Sequence, residues 1–147
     1  MPASERMMCV CLLGVVVSLL LVGVVSGTVV RHLVQVAPAC LALAAIRPGR
    51  ASWGTQAAQP IFIFWFFIMG LIWLFLLGVS RIVTGHFTLA EIALTLVIGA
   101  CCAWGMVTSL GTGGRAGWAQ RVLAFGGFLL LQIAAMWLST RPGVANR

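Results

Sequence analysis

Five runs of apolar residues, separated by short polar breaks, make up most of the chain. They cover residues 7–27, 29–46, 60–83, 88–110 and 118–138. An α-helix of about twenty residues crosses a hydrocarbon core of about 30 Å. The pattern therefore predicts an all-α integral membrane protein. We expect a polytopic helical bundle of four to five transmembrane segments, forming a single domain over residues 1–147 without a soluble domain.

The second run, residues 29–46, decides between four and five segments. Arg31, His32 and Gln35 interrupt it near its start. These polar residues cluster at one end instead of forming a polar face along a helix, and this favours a short span over a helix lying in the membrane interface. Gly27 would then form the turn of a helical hairpin. Five segments are preferred, and four is the alternative.

The first run has two interpretations. Arg6 precedes a long apolar stretch, as in a signal peptide, and a cleavage site can be drawn after Gly27. The stretch is longer than the usual signal core of about 7 to 15 residues. A retained helix that stops at Ser26 and Gly27 is therefore predicted.

Helix boundaries are marked at the later runs. Pro60 suits the first turn of the third helix, where its missing N–H costs nothing. Thr88 and Glu91 have the spacing of a capping box at the start of the fourth helix. Residues 111–115, rich in glycine, predict a flexible loop before the last helix.

The charged residues are few and almost all basic. The net charge of +7 comes from nine arginines and two glutamates, with no lysine and no aspartate. Single arginines at the ends of apolar runs fit contact with membrane lipids, including anionic head groups, better than nucleic acid. With five segments and a cytoplasmic N-terminus, five arginines lie inside and four outside, a small bias. The arginine-only, Ala-, Gly- and Val-rich composition suggests the bacterial cytoplasmic (inner) membrane, with an organellar inner membrane as the alternative.

This inventory excludes several kinds of chemistry. Without lysine there is no P-loop lysine and no Schiff base. Without aspartate, a paired-carboxylate hydrolase or a carboxylate-rich metal site lacks its ligands. We expect no enzyme activity, no catalytic residues and no metal site.

Polar residues near apolar spans are the candidates for function. The candidate polar patch or ligand contact consists of Arg31, His32, Gln35, His86 and Glu91. With five segments these residues lie on the same side of the membrane, where Arg31 and Glu91 could form an ion pair. With four segments they lie on opposite sides. The alternative interpretation of Glu91 is that it caps the fourth helix.

No cofactor is predicted, although two groups stay open. Arg31, His32 and Gln35 could hold a quinone or a lipid head group, and snorkelling of their side chains to the interface is the alternative. Two histidines raise the possibility of haem ligation, but His86 lies in a turn and not within a span. Gln132, alone in the last run, is expected to bond to a neighbouring helix.

Small residues at four-residue spacing predict close helix packing. The predicted packing residues are Gly14, Ser18, Gly23 and Gly27 in the first run and Gly99 and Ala103 in the fourth. The five cysteines lie in apolar runs without CxxC spacing and are expected to pack as small residues. The alternative is a quinone-coupled membrane thiol oxidoreductase, for which Cys9 and Cys11 lie closest to a membrane face.

Three functions remain. The preferred one is an accessory or structural subunit of a larger membrane complex, with other membrane subunits or itself as partner. The first alternative is a small oligomeric transporter or channel. The second is a quinone-, lipid- or haem-interacting redox membrane protein.

Overall fold

The computed structural model describes residues 3–46, 51–82, 85–110 and 117–145. Within them the chain forms helices only. In chain order these are α1 (Ala3–Val25), α2 (Val29–Ala45), α3 (Ala51–Leu76), α4 (Leu89–Leu110), α5 (Trp118–Ser139) and the one-turn α6 (Pro142–Ala145). The predicted all-helical fold is confirmed. The predicted loop at 111–115 lies outside the described residues.

Four helices have the length and apolar character needed to cross a membrane. They are Ala3–Val25, Trp53–Leu76, Leu89–Leu110 and Trp118–Ser139. The fifth apolar helix, α2, has 17 residues and a rise of about 26 Å. It falls short of a full span by length, yet it packs along α1, α3 and α5.

The helices form a closed bundle in which successive helices run in opposite directions. α1 packs against α2 and α4, α3 packs against α2, α4 and α5, and α2 also contacts α5. The C-terminal end of α1, the N-terminal ends of α2 and α4, and the C-terminal half of α3 therefore meet at one end of the bundle.

Apolar stripes at helical spacing form the core. On α1 the buried stripe is Met8, Leu12, Val15 and Leu19. The stripe repeats every three or four residues, so one face of the helix points into the bundle while Val17 and Leu21 on the other face are exposed. On α3 the buried stripe includes Phe62, Trp65 and Met69.

Two glycines end the helices that point to the same end of the bundle. Gly27 (φ 68°) follows α1 and Gly78 (φ 73°) follows α3, both in the left-handed region that other residues rarely adopt. The N–H of Thr28 donates to the carbonyl of Gly23, and the N–H of Val79 donates to the carbonyl of Leu74. These are Schellman caps, which satisfy the last free carbonyls of each helix. Gly27 thus forms the hairpin turn expected between α1 and α2.

The predicted bounds of the third helix are wrong at both ends. The helix begins at Ala51, so Pro60 lies inside it and not in its first turn. It ends at Leu76 because Gly78 caps it, although apolar residues recur beyond the cap at Val79 and Ile82. Because Gly78 lies inside the apolar run, the sequence pattern did not indicate that the helix ends there.

Candidate functional site

A partly enclosed cavity of about 370 Å³ lies between α1, α2, α3 and α4 at the end of the bundle just described, and Met136 of α5 also lines it. Its volume is within the range of small-molecule sites. Apolar side chains form most of its wall, among them Leu19, Val22, Ile68, Ile72 and Ile98. Three lining residues, Ser26, Gly85 and His86, are exposed, so the cavity reaches the surface there.

The polar residues singled out from the sequence all line this one cavity. They are Arg31, His32, Gln35, His86 and Glu91. The antiparallel order of five helices brings them together, because it places the start of α2 and the start of α4 at the same end of the bundle. Their role as ligand contacts stays a prediction.

Glu91 caps its helix. The backbone N–H and the hydroxyl of Thr88 donate to Glu91 Oε2 at 2.7 and 2.8 Å, and the N–H of Glu91 donates back to Thr88 Oγ1 at 3.3 Å. This reciprocal pair is the predicted capping box. Among the described residues, the suggested ion pair between Arg31 and Glu91 is not formed, and the carboxylate of Glu91 accepts hydrogen bonds from Thr88.

The two histidines differ in their restraint. His32 Nδ1 lies 2.9 Å from the carbonyl oxygen of Thr28 and 3.1 Å from its hydroxyl, which fixes the ring orientation. His86 is exposed in the segment before α4. Within the described residues, no group of three or more His, Cys, Asp or Glu is placed to hold a metal ion.

Two residues that line the cavity each have a buried nitrogen donor without a hydrogen-bond partner. Arg31 Nε and Trp65 Nε1 have no hydrogen-bond partner, and both residues line the cavity. Buried donors are nearly always paired in proteins, so each unpaired one calls for an explanation. The sequence does not single out Trp65, because it is one of many aromatic residues distributed around α3.

A buried amide network joins α2 to α5 beside the cavity. Gln35 Nε2 donates to Ser139 Oγ at 2.9 Å and also contacts Met136 Sδ at 3.4 Å. Gln132, which is 0 % exposed, donates from Nε2 to the backbone carbonyl of Gln35 at 3.2 Å. The prediction that Gln132 bonds to a neighbouring helix is confirmed. This network fixes the position of α2, which carries Arg31 and His32.

Replacing Gln35 tests this network. We expect Gln35→Leu to lower the free energy of unfolding by about 1 kcal/mol, because bonds between apolar helices contribute up to roughly that amount. Gln120, exposed on α5, supplies the matched control, and Gln120→Leu should change stability by less than about 0.5 kcal/mol. Thermal unfolding of the purified protein, followed by circular dichroism, measures both. Equal effects would show that Gln35 does not hold α2 in place.

A second pocket, of about 490 Å³, lies between α2 and α5 and differs in chemistry. Only apolar side chains line it, from Val30 to Leu41 on α2 and from Leu131 to Leu138 on α5. It offers no side-chain hydrogen bonds. The cavity at Arg31 is therefore the better candidate for recognition of a specific ligand.

The predicted packing residues divide into two groups. A Cβ added at Gly14 would lie 2.6 Å from Cys101 Sγ, and one added at Gly23 would lie 2.9 Å from His32 Cβ, so both glycines lie in close contacts. Ser18 is buried and Ala103 is half-buried. By contrast, nothing lies within 4 Å of a Cβ added at Gly27 or Gly99. Gly27 serves the turn, and Gly99 faces away from the neighbouring helices.

Gly105 makes a close contact that was not among the predicted packing residues. A Cβ there would lie 2.5 to 2.6 Å from three ring carbons of Phe62. Gly105 lies six positions after Gly99, outside the four-residue spacing used to find packing glycines. The contact joins α4 to α3 and requires a residue without a side chain.

All five cysteines are free thiols. Cys11 and Cys102 are buried in the core, Cys9 and Cys101 are half-buried, and Cys40 is exposed on α2. These placements fit the predicted packing role, which remains a prediction.

Comparison with known protein families, curated proteins and solved structures finds no match. The protein is therefore described by its fold and by its cavity. Within the described residues the protein is an all-helical bundle with four helices long and apolar enough to span a membrane.

Proposed function

We propose that this is a multi-pass membrane protein that binds an amphiphilic molecule, a lipid or a quinone, with its polar head in the cavity at Arg31. The outer surface supports the membrane environment. Phe67, Trp104 and Leu130 are each more than half exposed on three different helices. Apolar side chains this large are stable on such an outer surface when lipid covers them.

Five segments fit the bundle better than four. α2 packs along three other helices, and its buried residues Val36, Ala39 and Ala42 belong to the common core. A helix lying in the membrane interface would not be enclosed in this way. We infer that the two ends of the chain lie on opposite sides of the membrane, with the cavity on the side opposite the N-terminus. The bacterial cytoplasmic membrane remains a proposal from composition.

The observation that carries the function is the convergence of polar groups in an otherwise apolar cavity. Side chains from α2, α4 and the segment before α4 meet there, although they are far apart in the sequence. Polar groups are costly among apolar helices and mark functional sites in membrane proteins. A cavity that offers both apolar and polar wall is suited to an amphiphile, which has an apolar tail and a polar head.

Retention of a native ligand tests this proposal. The full chain is purified in mild detergent, and extracted lipids and quinones are quantified by mass spectrometry. We expect about one amphiphile per chain. Val22→Trp places a bulky ring in the cavity and should remove the ligand, whereas Val24→Trp, at a position 64 % exposed on the same helix, should retain it. A wild-type protein without a stoichiometric amphiphile, or equal retention by both variants, would contradict the proposal.

A second candidate function is an accessory subunit of a larger membrane complex. It is favoured by glycines within α3, α4 and α5 at which an added Cβ meets nothing within 4 Å, namely Gly70, Gly99, Gly126 and Gly127. Such small outward residues let another helix approach closely. The same purification tests it: a reproducible stoichiometric protein partner supports the accessory role, and recovery of the chain alone or of its homo-oligomer contradicts it.

A further inference from the structure

The unpaired donors of the cavity indicate the chemistry of its ligand. Trp65 is only 2 % exposed, and its indole N–H has no acceptor. Arg31 is half-buried, with its Nε buried and also without an acceptor. The two come from different helices and line the same cavity. Two donors without acceptors are complementary to a ligand that brings acceptor atoms.

Arg31 further selects for negative charge. Its guanidinium stays protonated in proteins and matches the oxygen pair of a carboxylate or phosphate. Among the described residues, no carboxylate pairs with it. A charged group with a buried, unpaired nitrogen is costly, and a bound anion would remove that cost.

The other ionisable residues on the cavity wall, Glu91, His32 and His86, are compatible with this assignment. Glu91 is the one acid in the lining, and it already accepts two hydrogen bonds from Thr88 at the positive end of the α4 dipole. His32 is held by Thr28 through Nδ1, and His86 lies at the exposed edge. The negative charge of Glu91 nevertheless opposes an anion, so removing that charge should strengthen binding.

We propose that the cavity binds an oxyanion, the carboxylate or phosphate of its ligand, through Arg31 and Trp65. The apolar remainder of the ligand lies against Leu19, Ile68 and Ile72. This inference rests on the proposed function and specifies the head group that it left open.

Binding of matched probes tests it. Radiolabelled palmitate is titrated onto the purified full chain in detergent, and hexadecanol, which has the same tail and a neutral head, competes. We expect palmitate to bind at least about tenfold more tightly than hexadecanol, since hydrogen bonds to charged groups are worth that much. Acetate and inorganic phosphate compete in separate titrations. Displacement only at far higher concentrations identifies an amphiphile as the source of the oxyanion, and displacement at concentrations similar to palmitate identifies a small soluble anion.

Variants locate the head group. Arg31→Gln should weaken palmitate binding about tenfold or more, and Trp65→Phe, which removes only the N–H, by a few-fold. Glu91→Gln should tighten binding, because glutamine keeps the capping box while losing the charge. Arg141 and Trp137 supply a matched control: they form a cation–π pair, 3.7 Å from guanidinium carbon to ring centroid, and neither lines the cavity. Arg141→Gln and Trp137→Phe should leave binding unchanged.

The outcomes separate the two proposals. Equal affinity for palmitate and hexadecanol, with no effect of Arg31→Gln, would overturn the oxyanion assignment and leave the amphiphile site standing. Weaker binding in Glu91→Gln would also overturn it, because it indicates a cationic ligand. If neither palmitate nor hexadecanol binds, and the purified wild-type protein carries no native amphiphile, the proposed function itself is overturned.

Discussion

Gly105→Val is expected to destabilise the bundle by about 3 kcal/mol or more. Even a single Cβ at this position would lie 2.5 Å from Phe62 Cζ and 2.6 Å from two further ring carbons. Phe62 is fully buried, so its ring cannot move aside without displacing other core residues. Overpacking a dense interior costs about 1 to 3 kcal/mol and occasionally more, and valine adds two methyl groups beyond the clashing Cβ. The shift in unfolding midpoint of the detergent-purified protein measures the effect.

Gly99→Val is the matched control on the same helix. Nothing lies within 4 Å of a Cβ added there, so valine should be tolerated, with a change below about 0.5 kcal/mol. The double variant Gly105→Val with Phe62→Ala should be more stable than Gly105→Val alone, because the truncated side chain frees the space. A Gly105→Val protein as stable as Gly99→Val would show that α3 and α4 are not in close contact at this point.

Phe62→Ala is expected to cost about 3 kcal/mol or more. The phenyl ring is 0 % exposed and packs against Gly105, a residue without a side chain to fill the space. Removing a buried ring forfeits its dispersion contacts and leaves a cavity. The dispersion and cavity contributions do not depend on transfer from water, so they also apply when lipid surrounds the bundle.

Phe67 on the same helix separates packing from composition. Its side chain is 62 % exposed, and Phe67→Ala should change the free energy of unfolding by less than about 0.5 kcal/mol. Unfolding titrations of both variants in one detergent give the comparison. Similar losses for the two variants would mean that the inward face of α3 is assigned incorrectly.

The sequence predicted only part of the candidate site. Arg31, His32 and Glu91 stood out because ionisable residues are rare in this chain. Their meeting in one cavity depended on whether residues 29–46 form a fifth helix within the bundle, and polar spacing alone left two arrangements open. Trp65 carried no local signal, since only its surroundings distinguish a buried, unpaired indole from the exposed aromatic residues beside it.

Local chemistry determined the elements themselves. Apolar length predicted the five helices but not the bounds of α3. Thr88 and Glu91 predicted the start of α4 and Gly27 the hairpin turn, because caps and left-handed turns act over a few residues. Tertiary structure alone decided which faces meet. The contact of Gly105 with Phe62, the bond from Gln132 to Gln35 and the unpaired donors of Arg31 and Trp65 all join or depend on residues distant in the chain. In this sequence nearly every helix face is apolar, so the hydrophobic pattern cannot show which faces pack together. Side-chain shape and hydrogen bonding select those faces.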